Sequence, residues 1–425
     1  MRIQDQDDAS RSIYRDIFDY SADLFIYFCE KSLSFIKEDG IFTYIVSNKW
    51  LKTNYGKEIR TKFKNKHLLR LIDFQGIKIF KDADVDSSIF ILKNKMNNGM
   101  FVTKIGENNN LFYDYNKKTL VKIPEFEINI KKSFEDVFIT DGSVLPFYFK
   151  MLENKTNNSI HIYKGFSTGN DDIYKLEYKD KIKSNLVLCF SEFKNENITI
   201  EKEILRKYIQ GEDLGMLNNK SKVSLLLLFP YHNNGNLFEI NFIKENYPYA
   251  FEYLNFCKKE LLKRKGKFQK NDWYRFSAMR NFDTYNKPKI LLSDMVSDSI
   301  KILIDNDNYF HNASIHNIPI DGLDNIDGKF LVGLFISKAF LCYNMIIGEK
   351  LAEAGRVIPK NVEKFPIPNV SLEQQQPIIS KVDKILSIKK ENPQADTSGL
   401  EHEIDVLIYG LYDLKDDKIK IVEGT

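Results

Sequence analysis

Ile41–Val46, reading IFTYIV, is mostly apolar on both faces, and a strand of that kind expects sheet neighbours on both edges and helices above and below. Before it, Asp19–Glu38 carries Leu24, Phe25, Phe28, Leu33, Phe35 and Ile36 close to a 3.6-residue period, which predicts an amphipathic helix stopped by Asp39-Gly40. After it come a polar helix candidate, Tyr55–Phe63, and two further strands, Leu68–Phe74 and Ser88–Leu92. Helix, strand, helix, strand is the rhythm of a doubly wound α/β sheet. Three strands are too few for such a sheet to cover itself, so something outside the run should pair with Ile41–Val46.

At 425 residues the chain is long enough for two folded units and a tail, and 43% hydrophobic residues can fill their cores. Val223–Pro230 and Phe330–Met345 are too short or too interrupted to span a bilayer, and Met1–Ser10 is polar and acidic. The expectation is a cytoplasmic protein with no membrane partner. Cys29, Cys189, Cys257 and Cys342 show no C-x-x-C spacing and the histidines do not cluster around them, so neither a metal site nor a disulfide framework is expected. The net charge of +3 points to no partner, but its distribution does. Lys258–Lys270, KKELLKRKGKFQK, sets seven basic residues against Glu260 alone, and such a stripe can bind phosphates on a near-neutral protein.

Residues 97–158 are rich in Asn, Lys and Asp and read as a variable connection with short strand candidates such as Phe134–Thr140. From Ile162 the pattern is irregular α+β, with helices expected at Pro248–Arg264 and across the apolar stretch Lys329–Lys350. Pro366 and Pro368 close that unit. Ser371 opens a helix to Lys389 with Ile378, Ile379, Val382, Ile385 and Leu386 on one face, and Gly399–Tyr412 is read as the last helix. The domain expectation is therefore 1–140, 141–370 and 371–425.

The block Asp23–Phe63, DLFIYFCEKSLSFIKEDGIFTYIVSNKWLKTNYGKEIRTKF, resembles the segment following the catalytic tetrapeptide in adenine-N6 DNA methyltransferases of type II and type IIG restriction-modification systems. Helix, glycine break, strand, Ser-Asn-Lys-Trp, Tyr-Gly and Ile-Arg match in order. Taken singly, Trp50 and Tyr55 read as core aromatics, Gly40 as a helix terminator and Arg60 as a surface charge. The next block, DFQGIKIFKDADVDSSIFILKN at Asp73–Asn94, resembles the motif with which these enzymes set an aromatic residue against the extruded target base, and Phe80 holds the matching position. An adenine inside a duplex cannot present its amino group, so it leaves the stack, and an aromatic face replaces part of the lost stacking. Without that resemblance, a lone Phe between two strands is more often a core residue.

The second unit resembles the TaqI-like C-terminal specificity domain through IYKGFSTGNDDIY at Ile162–Tyr174, ILRKYIQGEDL, LLFPYHNNG, YPYAFEYLNFCKKELLKR, WYRFS, KPKILLSDM, YFHNASIHNIPI and EKFPIPNVSLEQQQPI. The resemblance implies a double-stranded DNA partner. The candidate contacts are Lys164, Gly165, Thr168, Gly169 and Asn170 in the opening turn, Arg264, Lys265 and Lys267 in the basic stripe, and Trp273, Tyr274, Arg275 and Arg280. Lys and Arg would neutralise phosphates and fix register, while Asn or Arg could read base edges. Asn246-Tyr247-Pro248-Tyr249 looks faintly like a catalytic tetrapeptide, but its second residue is Tyr and its proline suits the first turn of a helix.

The family's methyl transfer needs S-adenosylmethionine in an upstream glycine loop and an Asn-Pro-Pro-Tyr-type tetrapeptide, and neither occurs in this sequence. Asp23 and Phe25 fall where the family borders the cofactor pocket. No catalytic residue is assigned in this chain, and no cofactor is expected to bind it alone. The fold expectation is a partial Rossmann-like methyltransferase sheet, its last strands only, followed by an α+β target-recognition domain and a helical tail. The functional expectation is the recognition part of a truncated adenine methyltransferase that depends on a second polypeptide for the N-terminal half. The alternative is a non-catalytic DNA-specificity module or relic.

Overall fold

Helix α1 (Leu24–Phe35) ends three residues short of the expected Glu38, and Asp39 takes the left-handed conformation at φ 61° that lets the chain reverse into strand β1 (Ile41–Ser47). The computed structural model describes residues 23–53, 55–74, 76–83, 85–97, 102–115, 117–129, 144–153, 160–218, 224–264, 268, 271–297, 299–351 and 354–424. They form a mixed α/β fold with several sheets and a helical tail, in two compact units, Met1–Tyr148 and Phe149–Thr425.

In the first unit β1 is followed by a short 3-10 turn (Asn48–Leu51), α2 (Lys57–Lys64), β2 (Lys66–Asp73), β3 (Ser87–Met96), β4 (Val102–Asp114) and β5 (Thr119–Asn129). The sheet order is β1-β3-β2-β4-β5, with β3 antiparallel to both β1 and β2 and β2 parallel to β4. Trp50 and Phe63 meet edge to face at 5.3 Å, and Phe63 lies 4.7 Å from Phe90, so this aromatic cluster joins α2 to the sheet. The indole N–H of Trp50 donates to Ser88 Oγ at 3.1 Å. Arg60 is a correction to the reading as a surface charge. It is buried, and its guanidinium donates to the carbonyls of Trp50 and Thr53, closing the loop that leaves β1.

One feature departs from expectation. The connection after residue 97 holds two long strands, β4 and β5, paired as an antiparallel hairpin from Val102↔Asn129 to Asp114↔Thr119. Their Asn and Lys content hides the two-residue period, because backbone pairing along a sheet edge does not require apolar side chains. Phe134–Thr140 lies outside the described residues. β1, for which a partner outside the three-strand run was expected, stands at the sheet edge among the described residues, with Ile41 60% and Ile45 47% exposed. Phe28 and Phe35 of α1 are exposed as well.

The second unit contains β6 (Tyr163–Lys164), α3 (Asp171–Tyr174), β7 (Lys175–Lys181), β8 (Leu186–Ser191), β9 (Glu196–Glu201), β10 (Leu205–Ile209), β11 (Leu225–Leu228) and α4 (Pro248–Leu261). It continues with β12 (Lys289–Ser293), β13 (Met295–Val296), β14 (Ile302–Asp305), β15 (Phe310–His311) and β16 (Ile315–Pro319). Three sheets are ordered β15-β10-β11-β7-β8-β9, β14-β12-β16-β6 and β13-β18-β17, the last using β17 (Glu349–Leu351) and β18 (Ala354–Arg356). Aromatic packing of Phe166, Tyr174, Phe229, Phe276 and Tyr285 fills the core between the six-stranded sheet and α4.

The apolar stretch expected as one helix is two, α5 (Gly328–Ile336) and α6 (Lys338–Ile347), bent by 68° at Ser337. The Ser337 hydroxyl explains the break, since it donates to Leu334 O and accepts from Phe340 N, ending one helix and capping the next. Ser371 and Gln374 form a full capping box on α7 (Leu372–Glu391). After α8 (Ser398–Leu411) a further helix, α9 (Asp416–Glu423), follows the one read as last, with two aspartates in its first turn. The four cysteines are buried and free. No single helix among the described residues is long and apolar enough to cross a membrane.

Candidate nucleic-acid interface

In the loop from β2 to β3 two alternate residues pack inward. Ile77 and Ile79 pack against Ile72, Phe74 and Ile123, with Phe112 edge-on to Phe74 at 5.0 Å. Phe80, next in the alternation, points away and is 39% exposed. Backbone bonds hold the loop: Phe74 N–H to Ser87 O at 3.1 Å, Ile77 N–H to Phe74 O at 2.8 Å, and Tyr115 N–H to Lys78 O at 2.8 Å. Gly76, at φ 84°, supplies the left-handed turn that begins it. The result is an accessible aromatic face on a backbone anchored at both sides, which is a platform on which a planar base can stack.

In the second unit two segments a hundred residues apart in sequence close on each other. Ser167 and Ala278 exchange backbone hydrogen bonds at 2.9 and 3.0 Å, and Thr168 O accepts the N–H of Ser277 at 3.2 Å. Both glycines of this turn are there for space. A Cβ on Gly165 would meet Asn312 O at 2.1 Å, and one on Gly169, at φ 83°, would meet Ser277 Oγ at 1.9 Å. Thr168 is buried, its hydroxyl donating to Asp171 Oδ1 and accepting Asn170 N–H at 3.1 Å, while Asp171 Oδ2 accepts from Asn312 Nδ2 at 2.8 Å.

Arg264 ties these pieces together. Its guanidinium donates to Thr168 O at 2.6 Å, Arg275 O at 2.9 Å, Leu261 O at 2.9 Å and Trp273 O at 2.5 Å, and it lies 4.2 Å from the centre of the Phe268 ring. Burial pulls its pKa down from the ordinary guanidinium value. It nevertheless stays charged. With its donors committed to carbonyls, Arg264 acts on the turn's geometry rather than on a phosphate.

The other expected contacts divide by exposure. Trp273 and Tyr274 are buried; Tyr274 donates from its hydroxyl to Phe238 O at 2.5 Å and accepts Tyr174 OH on its carbonyl at 2.7 Å. Their side chains are core, so they position the segment and do not face a ligand. Lys265 and Lys267 lie outside the described residues. Arg280 is exposed and donates to Gly165 O at 3.2 Å, and Arg275 is half-buried beside Asp272 at 2.8 Å. Asn170 is half-buried at the start of α3. Lys164 stands 4.0 Å from Asp294, which also binds His316 at 2.8 Å and Arg356 at 3.1 Å. Burial opposes the charge on Asp294, but His316, Lys164 and Arg356 outweigh it and hold the carboxyl below its usual range.

Sequence reasoning missed Asp171, Ser277, Asn281 and Asn312. Asn281, left-handed at φ 49°, donates to Lys164 O at 3.0 Å. The paired aspartates after Asn170 were the one available signal, since an acid beside a glycine turn satisfies local donors. Asp23 and Phe25 are half-buried at the start of α1, where Asp23 O accepts Ile26 N–H at 3.1 Å. Among the described residues no group of three or more His, Cys, Asp or Glu side chains could hold a metal ion.

Residues 1–80 match the model of the Eco57I restriction-modification methylase family. The type II restriction enzyme and methyltransferase RM.Eco57I of Escherichia coli is 23% identical over 444 residues, covering 93% of this chain and 43% of that protein. The type II methyltransferase M.BstVI of Geobacillus stearothermophilus is 21% identical over 343 residues, covering 75% of this chain and 56% of its own. The chain thus spans about half the length of the curated relatives it matches. Among solved structures, the type IIL restriction-modification enzyme MmeI in complex with DNA superposes with a TM-score of 0.61 at 13% identity, over 98% of this chain and 54% of that one. The chain is therefore similar in sequence to restriction-modification methyltransferases and shares the fold of one such enzyme.

Proposed function

We propose that this chain supplies base stacking and DNA target recognition to a site-specific adenine-N6 DNA methyltransferase of a cytoplasmic restriction-modification system. The observation that carries the reading is Phe80, exposed on an anchored loop at the position where the resembling enzymes stack the extruded adenine. The glycine turn around Lys164–Asn170, with Arg275 and Arg280 beside it, is the proposed DNA-reading surface of a TaqI-like specificity domain over 141–370, followed by the helical segment 371–425. MmeI, the structural neighbour, is bound to DNA.

Chemistry is proposed to come from residues outside this sequence, on a partner polypeptide that supplies the N-terminal half. Strands β1 to β3 are read as the last strands of a Rossmann-like sheet, and the edge of β1, outermost among the described residues and carrying exposed Ile41 and Ile45, is where that half would pair, with exposed Phe28 and Phe35 of α1 as further apolar surface for it. S-adenosylmethionine, the methyl donor of such enzymes, is not fitted by the residues present. Asp23 and Phe25 could border it, but the sequence has no glycine before Gly40 to cradle it and no Asn-Pro-Pro-Tyr to act beside it. No step is assigned through it. The same absence favours a second reading, a specificity module that binds DNA without chemistry.

Incubating the purified chain with a randomised duplex pool at near-physiological salt is expected to enrich one short, adenine-containing motif, since nonspecific phosphate binding fades there. Retention with no enriched motif overturns target recognition. With 2-aminopurine at the adenine of the enriched motif, Phe80→Ala is expected to reduce the extruded fraction about tenfold, in line with roughly 1–3 kcal/mol per stacked base. Equal fluorescence in both proteins would remove Phe80 from the mechanism.

A further inference from the structure

The hairpin of β4 and β5 has no role in the reading above, yet it is docked on the Phe80 loop. Its inner face contributes Phe112 and Ile123 to the cluster under Ile77 and Ile79, and its turn is joined to the loop by the Tyr115 N–H to Lys78 O bond of 2.8 Å. Lys78 is two residues from Phe80, a span of about 7 Å in extended chain. The turn itself is built to face outward. Asp114 is buried and its carboxylate accepts Lys117 N–H at 3.2 Å, while Lys118 takes the left-handed position at φ 51°. Its surface is aromatic and basic: Tyr115 is 41% exposed, and Lys117, Lys118 and Lys122 are exposed. Lys81 is exposed beside Phe80, and Lys78 is half-buried. Among the described residues none of these five lysines is in a salt bridge.

An array of unpaired lysines next to an exposed stacking residue has a specific use if a base is drawn out of a duplex there. Extrusion bends and exposes the backbone on both sides of the departing nucleotide, and phosphates follow one another at about 3.4 Å of helix rise per strand. The Tyr115 N–H to Lys78 O bond sets the hairpin turn against a residue two places from Phe80, so its cations are placed to reach phosphates close to the extruded base. The loop's own acids, Asp82, Asp84 and Asp86, all follow Phe80 on the return to β3, and the exposed charges at the hairpin tip are basic, Lys117 and Lys118 in the turn and Lys122 just inside β5, while the Asp114 carboxylate is buried.

We propose that the tip of the β4–β5 hairpin is a DNA-backbone clamp, in which Lys117 and Lys118 of the turn and Lys122 of β5 neutralise phosphates flanking the adenine held on Phe80, and Tyr115 lies against the adjoining sugar or base. The clamp rests on the DNA-binding reading of this chain and adds to it a site in a segment that looks, by composition, like a linker.

The test is the salt dependence of binding of the full chain to a fluorescein-labelled 30-base-pair duplex, by anisotropy, in the wild type, in Lys117→Glu/Lys118→Asn/Lys122→Glu, and in Tyr115→Ala. Asn at 118 keeps the left-handed backbone accessible. The triple variant is expected to bind roughly tenfold or more weakly at low salt, with a log–log slope shallower by about two to three, near 0.9 per lost phosphate contact. Lys360→Glu/Lys390→Asn/Lys420→Glu carries the same charge change at exposed positions of the second unit outside the Lys164–Asn170 turn and is expected to leave the slope within about one of wild type. Circular dichroism melts report whether each variant is folded. Wild-type and triple-variant curves of equal slope and affinity overturn the clamp while leaving DNA binding intact, as does an equal loss in the two charge variants. A wild-type chain that does not bind the duplex overturns both the clamp and the reading beneath it.

Discussion

Gly165→Ala is expected to cost about 3 kcal/mol of stability in the second unit, at the upper end of what overpacking a core does. The added Cβ would meet Asn312 O at 2.1 Å, the carbonyl carbon at 2.5 Å and His311 Nδ1 at 2.6 Å. Two of these are backbone atoms, in a segment that bridges to Phe166 and carries the Gly165 N–H to Ile315 O bond of 3.1 Å. Relief would require breaking those links, and with them the turn that carries Lys164 and Asn170, the proposed DNA contacts. Gly328→Ala makes a fair comparison, since there a Cβ meets side-chain atoms of Ile320 at 3.1 Å or more, which can shift. Urea denaturation of both variants should show a large drop in midpoint for the first and a small one for the second; midpoints that agree would refute the account of this turn.

Arg264 gives the second large effect, and its sign separates two roles. As a clamp on four carbonyls, it should be irreplaceable by lysine, whose compact ammonium cannot serve the same fork of acceptors. Arg264→Lys and Arg264→Ala are then both expected to lose about 2–4 kcal/mol, because partly buried carbonyls are left without donors. Both should weaken DNA binding with little change in salt slope, through a misplaced turn. A phosphate-binding arginine behaves otherwise: lysine would retain most of the binding, alanine would flatten the slope by about one, and stability would hardly move. Denaturation together with anisotropy titrations in two salts decides between them.

The legible part of the fold is the part where periodicity and burial coincide. The helix before Asp39-Gly40, the strand IFTYIV, the capped helix after Ser371 and the helix begun by Pro248 all appear within a few residues of expectation, because each has a local stop or start signal beside an apolar face. The hairpin of β4 and β5 was illegible because its pairing is carried by backbone along an edge. The break at Ser337 was hidden in an otherwise uniform apolar run, where a serine hydroxyl outweighs the side-chain pattern.

For the candidate site, residue type and motif order by themselves determined which segments were singled out: the loop with Phe80, the Lys164–Asn170 turn and the stretch through Arg264 to Arg280. Only the tertiary structure decided what each residue in them does. Phe80 faces out because Ile77 and Ile79 on alternate positions are drawn into the core. Trp273 and Tyr274 face in because the aromatic core takes them. Arg264 bonds carbonyls because two segments close around it. Chemical character is a property of the residue, but exposure depends on which distant segments meet, and that is settled by packing across the whole unit.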